Sequence, residues 1–130
     1  MSKKILITDD EAYILRVVAM KLEKAGYEVI TAMDGQEALD LFVAEQPDML
    51  ITDYQMPVMT GAELCRQVRR CRTGSDVPIL MLTARGFDME PHDASHAGIN
   101  ALLTKPFSPR ELLAKVNELL ESSSDAVRSE

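Results

Sequence analysis

Residues 50–64 read LITDYQMPVMTGAEL, and the first four decide the fold. They continue an apolar run, Met49-Leu50-Ile51, through Thr52 to an acid, Asp53. Met56-Pro57 then turns the chain, and a helical pattern begins at Ala62. A short strand with no polar face is covered on both sides, as in the parallel sheet of an α/β protein. A carboxylate at the tip of such a strand calls for an explanation.

Outward from this stretch the same alternation recurs. KILIT (4–8) predicts a buried strand, and Leu15, Val18, Leu22 and Ala25 follow at helical spacing with Gly26 as the stop. YEVITA (27–32) predicts a more polar strand, suited to an edge, and 34–46 a helix. The stretch 48–53 is the third strand and 60–72 a helix with Leu64, Val68 and Cys71 inward. VPILMLT (77–83) and ALLT (101–104) complete the strands, and Leu112, Leu113, Val116, Leu119 and Leu120 line the last helix. A short fourth helix is expected within 87–97, starting near Pro91, which cannot sit deep in a helix. Asp34-x-x-Glu37, Thr60-x-x-Glu63 and Ser108-Pro109-Arg110-Glu111 resemble helix-capping boxes. Five strands alternating with five helices predict a doubly wound, five-stranded parallel sheet of flavodoxin-like order 2-1-3-4-5, with helices on both faces.

The totals agree with one such domain. The chain has 130 residues, 46% apolar and 27% charged. The expected organisation is a domain over 1–121 and a flexible tail or linker start over 122–130, where apolar periodicity ends. No apolar run approaches a membrane span, and the N-terminal residues lack the long apolar stretch of a signal peptide. Cys65 and Cys71 lie on different faces of one helical pattern, which predicts reduced thiols and a cytoplasmic setting. The net charge of -7 argues against direct nucleic-acid binding. The basic run RQVRRCR (66–72) then predicts a solvated helix face.

In a parallel sheet the strand ends share one edge, and ligands bind there where the strand order reverses, between strands 1 and 3. Asp9, Asp10 and Glu11 follow strand 1, Asp53 ends strand 3, Thr83 ends strand 4 and Lys105 follows strand 5. Taken singly, Asp10 as a helix cap and Asp53 as a turn former are common uses of aspartate. Taken together, three close carboxylates repel unless a proton or cation joins them, and oxygen-only ligands suit Mg²⁺ (or Mn²⁺). Lys105 and Thr83 would hold a phosphoryl group beside that cation. Asp53, already ionised at neutral pH, is the natural acceptor. His92 and His96, four residues apart, have no further ligand in view and read as surface residues.

The segments ILITDDE, DMLITDYQMPVMTG, PILMLTA and LLTKPFSPRELLAKV together resemble the receiver domain of two-component response regulators, over roughly 3–121. The resemblance implies that Asp53 accepts a phosphoryl group from a phosphohistidine on a sensor histidine kinase or histidine phosphotransfer protein. It implies that Asp10 binds Mg²⁺ directly, Asp9 through water, and Asp53 and the backbone carbonyl of Gln55 complete the ligands. Lys105 would pair with the phosphoryl group, and the Lys105–Pro106 bond would be cis. Thr83 would turn inward and report phosphorylation to a face made by the helix expected in 87–97, the fifth strand and the last helix, where an output domain or protein partner docks. By the same resemblance, Gln55 and Arg85 would flank the pocket mouth. One departure is Leu102, where the family often carries an aromatic ring that moves with the threonine.

The implied role is a phosphoacceptor in signalling, not a turnover enzyme. Three rivals remain in view. A Mg²⁺-dependent aspartyl-phosphate hydrolase would need a second acid two residues after the nucleophile, where Gln55 stands. A flavodoxin-like cofactor protein would need a phosphate loop after strand 1, where Asp9-Asp10-Glu11 would repel the phosphate. A non-phosphorylated docking module would not need the full set of site residues.

Overall fold

A computed structural model of the chain describes residues 2–71, 74, 76–84 and 98–128, the last seven as backbone. The helix expected in 87–97, together with Arg85, His92 and His96, lies outside the described residues. The elements are β1 (Lys4–Thr8), α1 (Ala12–Lys24), β2 (Glu28–Ala32), α2 (Gly35–Glu45), β3 (Met49–Asp53), α3 (Gly61–Arg70), β4 (Ile79–Ala84), β5 (Ala101–Lys105) and α4 (Pro109–Arg128). The strands form one sheet in the order β2-β1-β3-β4-β5, every pairing parallel. β2 takes the edge, and the three apolar strands β1, β3 and β4 are central.

Strand alternation splits the core in two. Ile5, Ile7, Met49, Ile51, Leu80 and Leu82 point to one face, where Leu15, Val18 and Leu22 of α1 meet Leu112, Val116 and Leu120 of α4. Leu6, Leu50, Ile79 and Met81 point to the other, against Ala38 and Phe42 of α2 and Leu64, Cys65 and Val68 of α3. Helices cover both faces, which is the setting that suits continuous apolar strands.

The helix ends follow the expected chemistry. Asp34 accepts from the Glu37 amide at 2.8 Å, Thr60 from the Glu63 amide at 3.1 Å, and Ser108 and Glu111 exchange bonds of 3.0 Å in a complete capping box. α1 ends in a Schellman motif: the Tyr27 amide donates to Leu22 O and the Gly26 amide to Glu23 O, with Gly26 at φ +100°. Asp10 does not cap α1, because Glu11 holds the cap position and its side chain makes no capping bond. Residues 122–128, where a tail is expected from the loss of apolar periodicity, continue α4. A helix already nucleated by packing upstream can extend beyond its apolar stripe. Among the described residues no helix is long and apolar enough to cross a membrane.

The basic run of α3 departs from the solvated face expected of it. Arg69 Nη1 donates to Gly74 O and Val77 O at 2.8 and 2.7 Å. Its Nη2 donates to Gly98 O and Asn100 Oδ1 at 2.6 and 3.0 Å. Asn100 in turn accepts from the Ile79 amide at 2.8 Å. One guanidinium therefore ties the end of α3 to the starts of β4 and β5. Arg69→Ala is expected to cost about 2–4 kcal/mol in urea unfolding, because it leaves several polar acceptors unpaired. Arg69→Lys should recover only part of this, since an ammonium cannot make the planar two-sided fork. Cys65 and Cys71 form no disulfide, and burial pushes the Cys65 thiol up to about 12.

Candidate phosphoacceptor site

The C-terminal strand ends gather the acids and the lysine. Register pairs Thr8 with Thr52, Asp53 with Leu82 and Ala84 with Lys105, so the tips of β1, β3, β4 and β5 are level. Asp9 is fully buried and Asp53 nearly so, while Asp10 is exposed. One carboxylate oxygen from each of the three lies within 4.8 Å of the other two. Lys105 Nζ stands 2.9 Å from Asp9 Oδ2 and 3.3 Å from Asp53 Oδ1. The Lys105–Pro106 peptide is cis.

Burial is the largest influence on Asp53 and lifts it to about 6, aided by the Asp9 charge and opposed by Lys105. Burial also raises Asp9, against the pull of Lys105 and the Glu11 amide. At Lys105 burial works to lower the pKa, but its contacts with Asp9, Glu11 and Asp53 win and hold it above the usual lysine range. One ammonium is thus too little for this set of carboxylates. Asp9 Oδ2 has its ion pair with Lys105 but no well-directed hydrogen bond. A buried, under-satisfied carboxylate oxygen within an oxygen-only trio fits a hard divalent cation.

The remaining site residues are placed as follows. Thr83 is buried at the end of β4, one residue past the partner of Asp53. It lies on the sheet face opposite Leu82, and its register partner is Thr104. Gln55 lies two residues past β3 and is exposed. Leu102, half exposed, pairs with Met81 and shares the Thr83 face.

The loop after Asp53 is held tightly. The Tyr54 amide donates to Leu82 O at 2.9 Å and the Gly61 amide to Tyr54 O at 2.8 Å. Met56 is buried, and Thr52 Oγ1 donates to Asp53 O at 3.0 Å. The Met59 amide closes a three-residue turn onto Pro57 O at 2.8 Å, with Val58 at φ +73°. A β-branched residue is strained there, and such strain gathers at functional loops. Valine at position 58 carries no sequence signal for a positive φ. Glu11 supplies the other unforeseen feature: its Oε1 accepts from Lys105 Nζ at 2.9 Å.

The fold has counterparts among known proteins. Residues 5–117 match the family model described as the response regulator receiver domain. The chain is 42% identical over 129 residues to the alkaline phosphatase synthesis transcriptional regulatory protein PhoP of Bacillus subtilis, covering 99% of this chain and 53% of PhoP. It is 41% identical over 120 residues to the phosphate regulon transcriptional regulatory protein PhoB of Pseudomonas aeruginosa, covering 92% and 52%. The chain therefore spans about half the length of these curated relatives. Among solved structures, the chemotaxis response regulator CheY4 of Vibrio cholerae superposes with a TM-score of 0.86 at 38% identity, covering 92% of this chain and 99% of CheY4. The receiver domain of the sensor histidine kinase PA1611 of Pseudomonas aeruginosa PAO1, with a magnesium ion coordinated in its active-site cleft, superposes at 0.84 and 28% identity, covering 93% and 99%. With the family model spanning most of the sheet and both flanking helix layers, the chain belongs to the receiver domains of two-component response regulators.

Proposed function

We propose that Asp53 is the phosphoacceptor of this receiver domain and that Asp9, Asp10, Asp53 and the Gln55 carbonyl hold Mg²⁺ beside it. The observation that carries this reading is the meeting of Asp53 with Lys105 at 3.3 Å inside a trio of carboxylates within 4.8 Å. Bound Mg²⁺ would offset the crowded negative charge and polarise the phosphoryl oxygens. The protein's own part is positional. β3 aims the Asp53 oxygen outward, β5 delivers the Lys105 ammonium to a phosphoryl oxygen, and Thr83 Oγ1 supplies a hydroxyl from β4. The donor is a phosphohistidine on a sensor kinase or phosphotransfer protein. In the transfer the Asp53 oxygen–phosphorus bond forms, the phosphorus–nitrogen bond breaks, and the imidazole keeps the electron pair and takes a proton from solvent.

The domain acts as a signalling acceptor, with output through a docked domain or protein on the face that carries β5. Gln55, where a hydrolase of this chemistry needs an acid, has no proton to exchange. Intact mass after incubation with acetyl phosphate and Mg²⁺ tests the reading. A gain of about 80 Da is expected, absent in Asp53→Asn. No gain with any small phosphodonor, or an equal gain in Asp53→Asn, removes it.

Lys105 also competes with a cation for Asp9 and Asp53. Lys105→Ala should therefore bind Mg²⁺ about three- to tenfold more tightly by calorimetry, as repulsion and competition both disappear. Unchanged or weaker binding would show that Lys105 does not share those carboxylates with the metal.

A further inference from the structure

The contact between Glu11 and Lys105 has no part in the reading above, yet it engages the same ammonium. Lys105 Nζ has three N–H donors and three carboxylates within reach: Asp9 at 2.9 Å, Glu11 at 2.9 Å and Asp53 at 3.3 Å. Glu11 differs from the other two. Its side chain is 59% exposed, and its oxygens lie outside the trio that could hold a metal. It stands at the cap position of α1 but makes no capping bond. Its amide is instead fixed by Asp9 Oδ1 at 2.9 Å, which leaves the side chain to reach across 94 residues of sequence to β5. An open cleft beside the pair is lined by Glu11, Tyr13, Ile14, Lys105 and Phe107.

We propose that Glu11 is a positioning residue that holds Lys105 in the unphosphorylated site and competes with the incoming phosphoryl group for it. The inference rests on Asp53 being the acceptor. With acetyl phosphate as donor, the Asp53 oxygen–phosphorus bond forms, the phosphorus–oxygen bond to acetate breaks, and acetate leaves with the electron pair, so no proton is transferred. A phosphoryl oxygen then needs an ammonium donor, and Asp9 is buried and fixed. The donor is released by Glu11, whose exposed carboxylate can return to water at small cost. Glu11 thereby slows phosphorylation in a way that depends on its reach as well as its charge.

The test is the initial rate of mass gain with acetyl phosphate and Mg²⁺ in four proteins: wild type, Glu11→Gln, Glu11→Asp and Glu23→Gln. Glu11→Gln should be about two- to fivefold faster, the range of a partly exposed ion pair. Glu11→Asp keeps the charge but is about 1.5 Å shorter, so it should be similarly faster. Glu23→Gln removes a charge near the far end of the same helix and should match wild type. If Glu11→Asp matches wild type while Glu11→Gln is faster, charge alone acts and the competition is overturned. If neither Glu11 variant differs from a wild type that does take up phosphate, the inference fails and the phosphoacceptor reading stands. If wild type takes up none, both fall.

Discussion

Gly61→Ala is expected to lose about 3 kcal/mol or more of unfolding free energy, and to lose metal binding with it. A Cβ on Gly61 would stand 2.2 Å from the Asp53 carbonyl oxygen, 2.9 Å from Met81 Sδ and 3.0 Å from Tyr54 Cα. Two of these three obstacles are backbone, so no rotamer change relieves them. The Asp53 carbonyl also accepts from Thr52 Oγ1, and the Gly61 amide is bonded to Tyr54 O. Any shift that admits the methyl group drags Asp53 out of line with Lys105. Urea unfolding and Mg²⁺ titration measure the two effects. Met81→Ala added to Gly61→Ala should not restore stability, because the sulfur is the lesser obstacle. Full rescue by that second change would show that side-chain crowding, and not the backbone of Asp53, sets the need for glycine.

The acidic site should also shape stability against pH. Asp53 has a folded-state value of about 6 against 3.8 for a free aspartate, chiefly from burial. A raised carboxyl means that the folded state binds the proton more tightly than the unfolded one. Between pH 3.8 and 6 the folded state then carries more protons, and stability falls as pH rises. The loss from this group is complete above pH 6 and amounts to about 3 kcal/mol at most. Without metal, a denaturation series should show this decline. Asp53→Asn should remove it, since an amide does not ionise. Saturating Mg²⁺ should oppose it, because the cation binds the carboxylates in their charged form. A stability that rises through the same window in metal-free wild type, with Asp53→Asn unchanged from it, would contradict the assigned burial cost.

Features local in sequence were legible. Apolar runs without a polar face placed β1, β3 and β4 at the centre, and the more polar β2 at the edge. Capping residues three positions from their glutamates fixed the starts of α2, α3 and α4 to within a residue. The meeting of the acids with Lys105 was legible because parallel strands bring their C-terminal ends to one edge. Features that depend on side-chain reach were not. Arg69 looks like any arginine in a basic run, but its partners Gly98 and Asn100 lie 29 and 31 residues away. Glu11 reads as one more acid until the sheet brings Lys105 to it. Val58 gives no hint of a left-handed backbone, because the constraint comes from the bond between Met59 and Pro57. Apolar periodicity reports burial and not helix length, so the run of α4 to Arg128 carries no signal of that kind.

The proposed role of Asp53, at the tip of β3, is to carry the phosphoryl group. Reductive trapping tests it most directly: the protein is treated with acetyl phosphate and Mg²⁺, reduced with borohydride, digested and sequenced by mass spectrometry. Borohydride converts an acyl phosphate to an alcohol, so the expected result is a single reduced side chain at Asp53, dependent on both phosphodonor and metal. Reduction at Asp9 or Asp10 instead, or phosphate held at a serine, threonine or histidine, would contradict the account.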